Sequence, residues 1–261
     1  QATNNCFAKV LVSAAGTLQV KPLNTTGDFV TDASAGESVT IVMGPEITNA
    51  KTCYAYNVEV EFSDLVNVFK QMLGMSPNTF GLEVPLEGNI TGSIGFLGSQ
   101  ETSGSATLGD GAPTASEATD VMTAVDNVLI FTENLAAFDI LSFGVSFNNN
   151  LRQRRKVGSP AVQSIGSGKL SGTGTLTAYF ATHTFYNKYL NFTQTGFTTV
   201  FRDNASNVYV LSIPAVKLTA GQRVITGTNT DVIADMGFTV KKHATEGVMV
   251  RLTRFDAADT P

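Results

Sequence analysis

The chain has 261 residues, of which 43% are hydrophobic and 15% are charged, well below the usual charged share of about 25%. Its length allows one large domain or two small ones, and no apolar run reaches the roughly 18 residues of a membrane helix. The formal net charge is −5, and the two cysteines, Cys6 and Cys53, are too few for a disulfide framework, which favours free thiols in a reducing compartment.

The charge is divided unevenly along the chain. Residues 1–130 contain 4 Lys, no Arg and 14 acidic residues, whereas residues 131–261 contain 13 basic and 8 acidic residues. An acidic half and a basic half predict complementary surfaces, either within one molecule or between copies of it. Drift in surface composition is the alternative explanation.

The first half contains strand patterns and one predicted helix. NVEVEF (57–62) and ITGSIGF (90–96) alternate apolar with polar or small residues, which is the period of a β-strand. Between them, 63–74 (SDLVNVFKQMLG) places apolar residues at helical spacing after Ser63 or Asp64 and stops at Gly74, which predicts a helix.

The segment 99–120, rich in Ser, Thr, Gly and Ala, is predicted to be a long loop or flexible arm. The stretch 37–65 is echoed by 126–151: each has an apolar run, a polar break and an alternating strand. These echoes indicate a duplicated unit. We therefore expect two tandem β units, 1–125 and 126–261, although chance similarity between strands would give the same echoes.

The second half continues the strand patterns. FGVSFN (143–148) and LSGTGTLT (170–177) each have one apolar face and one face of small polar groups, as in antiparallel sheets with one wet side. A helix is predicted over 182–192, and four or five further strands over 197–255, with a turn at Asp203 and with Pro214 at a strand edge.

No catalytic or metal-binding motif is recognisable. The two histidines, His183 and His243, lie far apart, and the chain has no HExxH, CxxC, GxSxG or Walker motif. Glu59 and Glu61 would share one strand face, where solvation explains them better than glycoside hydrolysis. No cofactor and no enzymatic activity are predicted. The basic run 152–156 (RQRRK) is predicted to be a loop, either facing an acidic neighbour or simply solvated.

The stretch 143–180 resembles the siphophage major tail tube protein family: a strand enters an NNNL turn, a basic loop with glycines follows, and a SGTGTLTAYF strand comes next. Residues 201–221 and 231–243 continue the resemblance. It implies a mainly β, tail-tube-type sandwich or barrel with one or two short flanking helices. Such subunits form stacked rings around a lumen through which viral DNA passes.

The resemblance also implies partners, a location and site residues. The partners are copies of the chain itself, the tape-measure, tail-tip and tail-terminator proteins, and passing double-stranded DNA. A duplicated unit favours a trimer with pseudo-sixfold symmetry over a hexamer. The protein would be assembled in the host cytoplasm, reside in the virion and contact no membrane. A carbohydrate-binding adhesin sandwich and a secretion-tube subunit are the alternatives. The residues expected to face the lumen are Glu59, Glu61, Thr91, Ser93, Ser146, Asn148, Thr173 and Thr175, and those expected in a contact loop between subunits are Arg152, Arg154, Arg155 and Lys156.

Overall fold

The computed structural model describes residues 8–14, 17–22, 43–49, 54–109, 118–180, 183–224 and 231–257. Cys6 and Cys53 lie outside these residues, so the expectation about their thiols stays a prediction. The described chain is mainly β with two short helices, as predicted. The elements are β1 (Ala8–Ala14), β2 (Thr17–Pro22), β3 (Glu46–Thr48), β4 (Tyr56–Glu61), β5 (Phe69–Val84), β6 (Thr91–Leu97), β7 (Gln100–Gly104), α1 (Ala124–Asn127), β8 (Val128–Glu133), β9 (Ala136–Ala137), β10 (Ser142–Asn148), β11 (Arg152–Arg154), β12 (Ser164–Gly166), β13 (Ser171–Tyr179), α2 (His183–Leu190), β14 (Gln194–Arg202), β15 (Val208–Val224), β16 (Ile233–Val240) and β17 (Arg251–Phe255).

Thirteen of these strands form one antiparallel sheet, and rings from β8 and β14 pack against rings from β10 and β16, so the sheet folds into two layers. Its main path runs β4-β5-β10-β13-β16-β15-β14-β8-β9, while β1 with β2 and β11 with β12 form separate pairs. The units predicted for 1–125 and 126–261 remain a prediction. Strand β5 from the first range pairs with β10 from the second.

The long strand β15 belongs to both layers of the fold. Residues 208–212 pair with β17, and residues 216–224 pair with β16. Pro214 lies between these two parts, within a β-bulge of β15 where residues 214 and 215 are opposite the single residue Gly196 of β14, and not at the strand edge that the sequence suggested. A bulge tolerates proline because the ladder is already interrupted there.

The core fills the space between the two layers with aromatic rings. Phe131 and Phe197 come from β8 and β14, and Phe143 and Phe238 come from β10 and β16. The ring centroids of Phe131 and Phe143 are 5.2 Å apart, as are those of Phe197 and Phe238. These separations suit tilted and edge-to-face packing, which adds to the stability gained by burying the rings.

The helix predicted over 182–192 is confirmed as α2, within the residues that the structure describes. Phe185 is its buried residue and packs against Phe138, with ring centroids 4.9 Å apart. The side chain of Lys188 reaches Glu133 on β8, with Nζ 2.6 and 2.7 Å from the two carboxylate oxygens. The helix is therefore fixed to the sheet by both an aromatic contact and an ion pair.

The helix predicted over 63–74 is wrong. Residues 63–67 form a turn, and β5 begins at Phe69. Tertiary pairing overrides the helical spacing, because residues 69–72 pair with both β4 and β7. Gly74 has φ of +62° in the middle of β5, so it interrupts a strand and does not end a helix.

Two predicted loops also contain strands. The segment 99–120 begins with β7, and residues 110–117 lie outside the described part. The basic run 152–156 begins with β11, which pairs with β12 in a short hairpin. In both segments the backbone pairs with a neighbouring strand that the local composition did not reveal.

Candidate functional site

The most regular surface feature is an exposed sheet face that carries small polar groups. Residues directly opposite each other in antiparallel strands point to the same side. One such row crosses β6, β5, β10, β13 and β16 in order: Ser93, Gly81, Ser146, Thr173 and Thr239. The next row runs through Thr91, Glu83, Gly144 and Thr175. Five strands therefore contribute to one continuous surface, called here the polar face.

Six of the eight residues expected to face a lumen lie together on the polar face. They are Thr91, Ser93, Ser146, Asn148, Thr173 and Thr175. All but the half-buried Asn148 are exposed. The opposite side of the same strands holds the core, for example Phe143, Val145 and Phe147 on β10. The alternation read from the sequence is confirmed for β10 and β13.

The glycines of β13 explain its unusual sequence. A Cβ at Gly172 would come within 2.7 Å of the Phe147 ring, and one at Gly174 would collide with the Phe238 ring. The core side of β13 must therefore stay bare at these two positions so that both rings can lie against its backbone. Thr173 and Thr175 alternate with these glycines and occupy the polar face, so the SGTG sequence combines a close-packed inner side with a polar outer side.

Three charged residues of the polar face were not singled out from the sequence. Glu83 and Asp235 are exposed, and Lys217 is half-buried at the far side, opposite Thr239. The Glu83 carboxylate lies over Gly144, where a Cβ would collide with it. Strand alternation could have identified the two acidic residues. Thr79, Gly81 and Glu83 share a face, as do Asp235, Gly237 and Thr239. The face thus has a small excess of negative charge.

Glu59 and Glu61 lie elsewhere, on a three-stranded extension of the sheet. This extension, called here the arm, consists of β4, the turn 62–68, the first half of β5 and β7. The Glu59 carboxylate accepts hydrogen bonds from the Thr107 hydroxyl (2.6 Å), the Leu108 backbone N–H (2.8 Å) and the Gln71 amide (3.1 Å). These donors, Thr107 foremost, lower the pKa of Glu59 against a smaller opposing effect of desolvation. Glu59 therefore fastens the segment around 107–108 to the arm.

The turn at the end of the arm, residues 62–68, exposes apolar side chains. Leu65 is 52% exposed and Val66 is 89% exposed, and Phe62 and Val68 are also exposed. The turn is closed by backbone hydrogen bonds from Phe62 N–H to the Val68 carbonyl (3.1 Å) and from Leu65 N–H to the Phe62 carbonyl (2.9 Å). Its apolar groups are therefore held at the surface by a defined backbone.

The basic hairpin, residues 152–166, lies against the arm. The Gln153 amide donates to the Gly98 carbonyl (2.8 Å), and the Val162 N–H donates to the Ser99 carbonyl (3.0 Å). The four cations predicted for a contact loop are all exposed: Arg152, Arg154, Arg155 and Lys156. Among the residues that the structure describes, none of the four has a carboxylate within ion-pair distance.

A shallow groove of about 500 Å³ runs between the arm and the basic hairpin. Met72 and Met75 line it from β5, and Pro160 and Val162 line it from the hairpin. Arg155 and Glu101 are among its polar lining residues. Methionine side chains adapt to irregular partners, so this lining suits a flexible apolar segment better than a rigid small molecule.

The described ranges contain no group of three His, Cys, Asp or Glu side chains placed to bind a metal ion. Nor do they include a helix with the length and apolar character needed to span a membrane.

Fold and surface together define a mainly β protein whose leading feature is a broad polar sheet face. The family model described as phage tail tube protein matches residues 15–240, and the chain belongs to that family. It is accordingly a structural protein of a phage tail and a virion component.

No curated protein matches the sequence. Among solved structures, a chain of the 6-fold symmetrised anti-feeding prophage (AFP) baseplate is similar at 10% identity. The match covers 56% of this chain and 98% of that chain with a TM-score of 0.36.

Proposed function

We propose that copies of this chain assemble into stacked rings that form the tail tube of a siphophage, and that the polar face lines the lumen through which DNA leaves. The observation that carries the proposal is the continuity of the polar face across five strands. In this proposal the chain has a structural role, without catalysis or a cofactor.

The chemistry of the polar face suits the passage of DNA. Duplex DNA carries one negative charge per about 1.7 Å of its axis, so cations on a channel wall would retain it. Serine, threonine and glycine offer little bulk, and Glu83 and Asp235 add repulsion. Lys217 is the one cation that we place on this face among the described residues.

Exposed strand edges support the joining of subunits. Ile94 and Phe96 on β6 are 59% and 41% exposed. Both side chains point to the side of the sheet that, in the inner strands, packs against the core. An apolar edge strand is an aggregation hazard unless it is covered, and pairing with a neighbouring subunit would cover it. A trimer of tandem units is favoured over a hexamer. The tape-measure, tail-tip and tail-terminator proteins would complete the assembly in the host cytoplasm.

The assembly is tested by negative-stain electron microscopy and native mass spectrometry of the recombinant protein. We expect rings or tubes with a central hole and a mass of three or six subunits. A strict monomer at high concentration, even when seeded with tail-tip complexes, would refute the proposal and redirect the work to glycan binding by an adhesin.

The lumen assignment needs a separate test with paired variants. Ser146 and Thr173 are directly opposite each other, so S146K/T173K adds two cations to the polar face and S146Q/T173Q adds bulk without charge. We expect both variants to form tubes, and only the lysine tubes to retain linear duplex DNA in sedimentation at low salt. If lysine and glutamine tubes retain DNA equally, the polar face does not line the lumen.

A further inference from the structure

We propose that the turn 62–68 of one copy docks into the groove between the arm and the basic hairpin of a second copy. The inference rests on the proposed function, because it names one contact by which subunits of a tube would hold each other.

The groove combines apolar side chains with charged ones: Glu101 is paired with Lys70 (3.3 Å), whereas the cations of the hairpin have no carboxylate partner in the described ranges. Met72, Met75 and Val162 line it, with Pro160 at the exposed side. Arg155 is placed at the groove by a hydrogen bond from its guanidinium to the Gln153 side-chain oxygen (3.2 Å). Its neighbours Arg154 and Lys156 are exposed, and none of the three has a carboxylate partner in the described ranges. Unpaired cations next to an apolar groove fit an acidic segment that also carries apolar side chains.

The turn 62–68 has that combination of groups. Leu65 and Val66 are its most exposed apolar side chains. Asp64 within the turn and Glu61 just before it are exposed, and neither has a cationic partner among the described residues. At protein interfaces, apolar side chains are commonly buried in the centre while opposite charges face each other around them. The charges fix how the partners are aligned, and the burial of apolar surface supplies affinity.

The groove and the turn of one molecule cannot meet. Residues 69–72, which follow the turn and end with Met72 of the groove, are held in extended pairing with both β4 and β7. The turn therefore stays at the end of the arm and cannot fold back onto Met72 and Met75. An occupant from the same molecule is thereby excluded, and the turn of a second copy has the complementary groups.

Such a contact is heterologous, because each copy offers a turn on one surface and a groove on another. Heterologous contacts generate rings when the rotation closes and open helical filaments when it does not. Both geometries occur in a tube that is built from stacked rings.

The test uses charge reversals on both sides of the contact. R155E and D64K are compared with the double variant D64K/R155E and with two controls that change charge elsewhere, K242E and E87K. Lys242 and Glu87 are exposed and lie outside both the turn and the groove. Thermal unfolding of the unassembled subunits establishes that each variant is folded.

We expect R155E and D64K each to raise the critical concentration for assembly by about tenfold or more, because like charges facing each other across an interface are strongly unfavourable. The double variant should return to within about threefold of the wild type, and the controls should assemble normally. If the wild type forms tubes and the single reversals have no effect, or if the double variant assembles no better than the worse single one, this inference fails and the tube proposal stands. If the wild type never associates, both fail.

Discussion

Removal of Glu133 tests the attachment of α2 to the sheet. The Glu133 carboxylate, 11% exposed, accepts two hydrogen bonds from Lys188 Nζ and a further one from the Thr195 hydroxyl. In E133A the ammonium and hydroxyl groups lose their partner in a region of limited solvent access. Breaking a buried pair from one side costs about 3–5 kcal/mol.

The partial exposure of Lys188 lowers the expected cost of removing Glu133. The Lys188 side chain is 21% exposed, so its ammonium group can move part of the way to water. We therefore expect E133A to lower the free energy of unfolding by about 2–4 kcal/mol, a drop in Tm of roughly 4–16 °C for a chain of this size. E133L/K188M replaces both charges with apolar groups and should lose less than E133A, because it leaves no charge behind.

Urea unfolding followed by circular dichroism measures these differences. The matched control is K70A, which removes a surface ion pair between Lys70 and Glu101 (3.3 Å, side chains 42% and 62% exposed) and should cost about 0–1 kcal/mol. A loss of under about 1 kcal/mol for E133A, or an equal loss for E133L/K188M, would refute the reasoning that an uncompensated charge dominates.

Two further predictions concern the core and the arm. F143A removes a buried ring whose centroid lies 5.2 Å from that of Phe131 and 5.9 Å from that of Phe238, so it should lower the free energy of unfolding in urea by about 3–5 kcal/mol. The control F192A changes an exposed ring and should cost under about 1 kcal/mol. Equal losses for the two variants would contradict the assignment of the core. The pKa of Glu59 is lowered in the folded protein, so its contribution to stability is present above the ordinary value of 4.5 and is lost as the pH falls through the folded value. Hydrogen exchange at Leu108, corrected for the intrinsic rate, should therefore accelerate below that pH, and E59Q should show faster exchange at neutral pH; protection that does not depend on pH in the wild type would contradict this role.

Strand alternation was the strongest guide to the fold. In β10 the order Phe143, Val145 and Phe147 against Gly144, Ser146 and Asn148 fixes which side is buried, because successive side chains of a strand point to opposite faces. The same pattern identified six residues of the polar face. Glu83 and Asp235 are on equally regular strands but were overlooked among the other acidic residues of the chain.

The arm could not be predicted in the same way. Leu65, Phe69 and Met72 have helical spacing and an N-cap candidate before them, yet these residues form a turn and a strand. The decisive contacts are the pairings of this segment with β4 and with β7. The β7 residues lie about 30 positions further along the chain than their partners in β5. Local propensity is a weak prior when both edges of a segment are paired. The expectation that Glu59 faces a lumen stays a prediction; its carboxylate holds the segment around 107–108 against the arm, a contact that strand alternation does not reveal.

The pairing of β3 with β17 sets a condition on the synthesis of the subunit. Leu252 is opposite Ile47, and the Met249 N–H donates to the Asn49 side chain (2.6 Å) across 200 positions of sequence. A ribosome must release almost the whole described chain before these contacts can form. Contacts this far apart in sequence are slow to form because the intervening chain must first be ordered. A nascent chain that stops short of residue 251 would leave β3 and part of β15 with unpaired edges, so completion of the sheet coincides with the end of translation of this region.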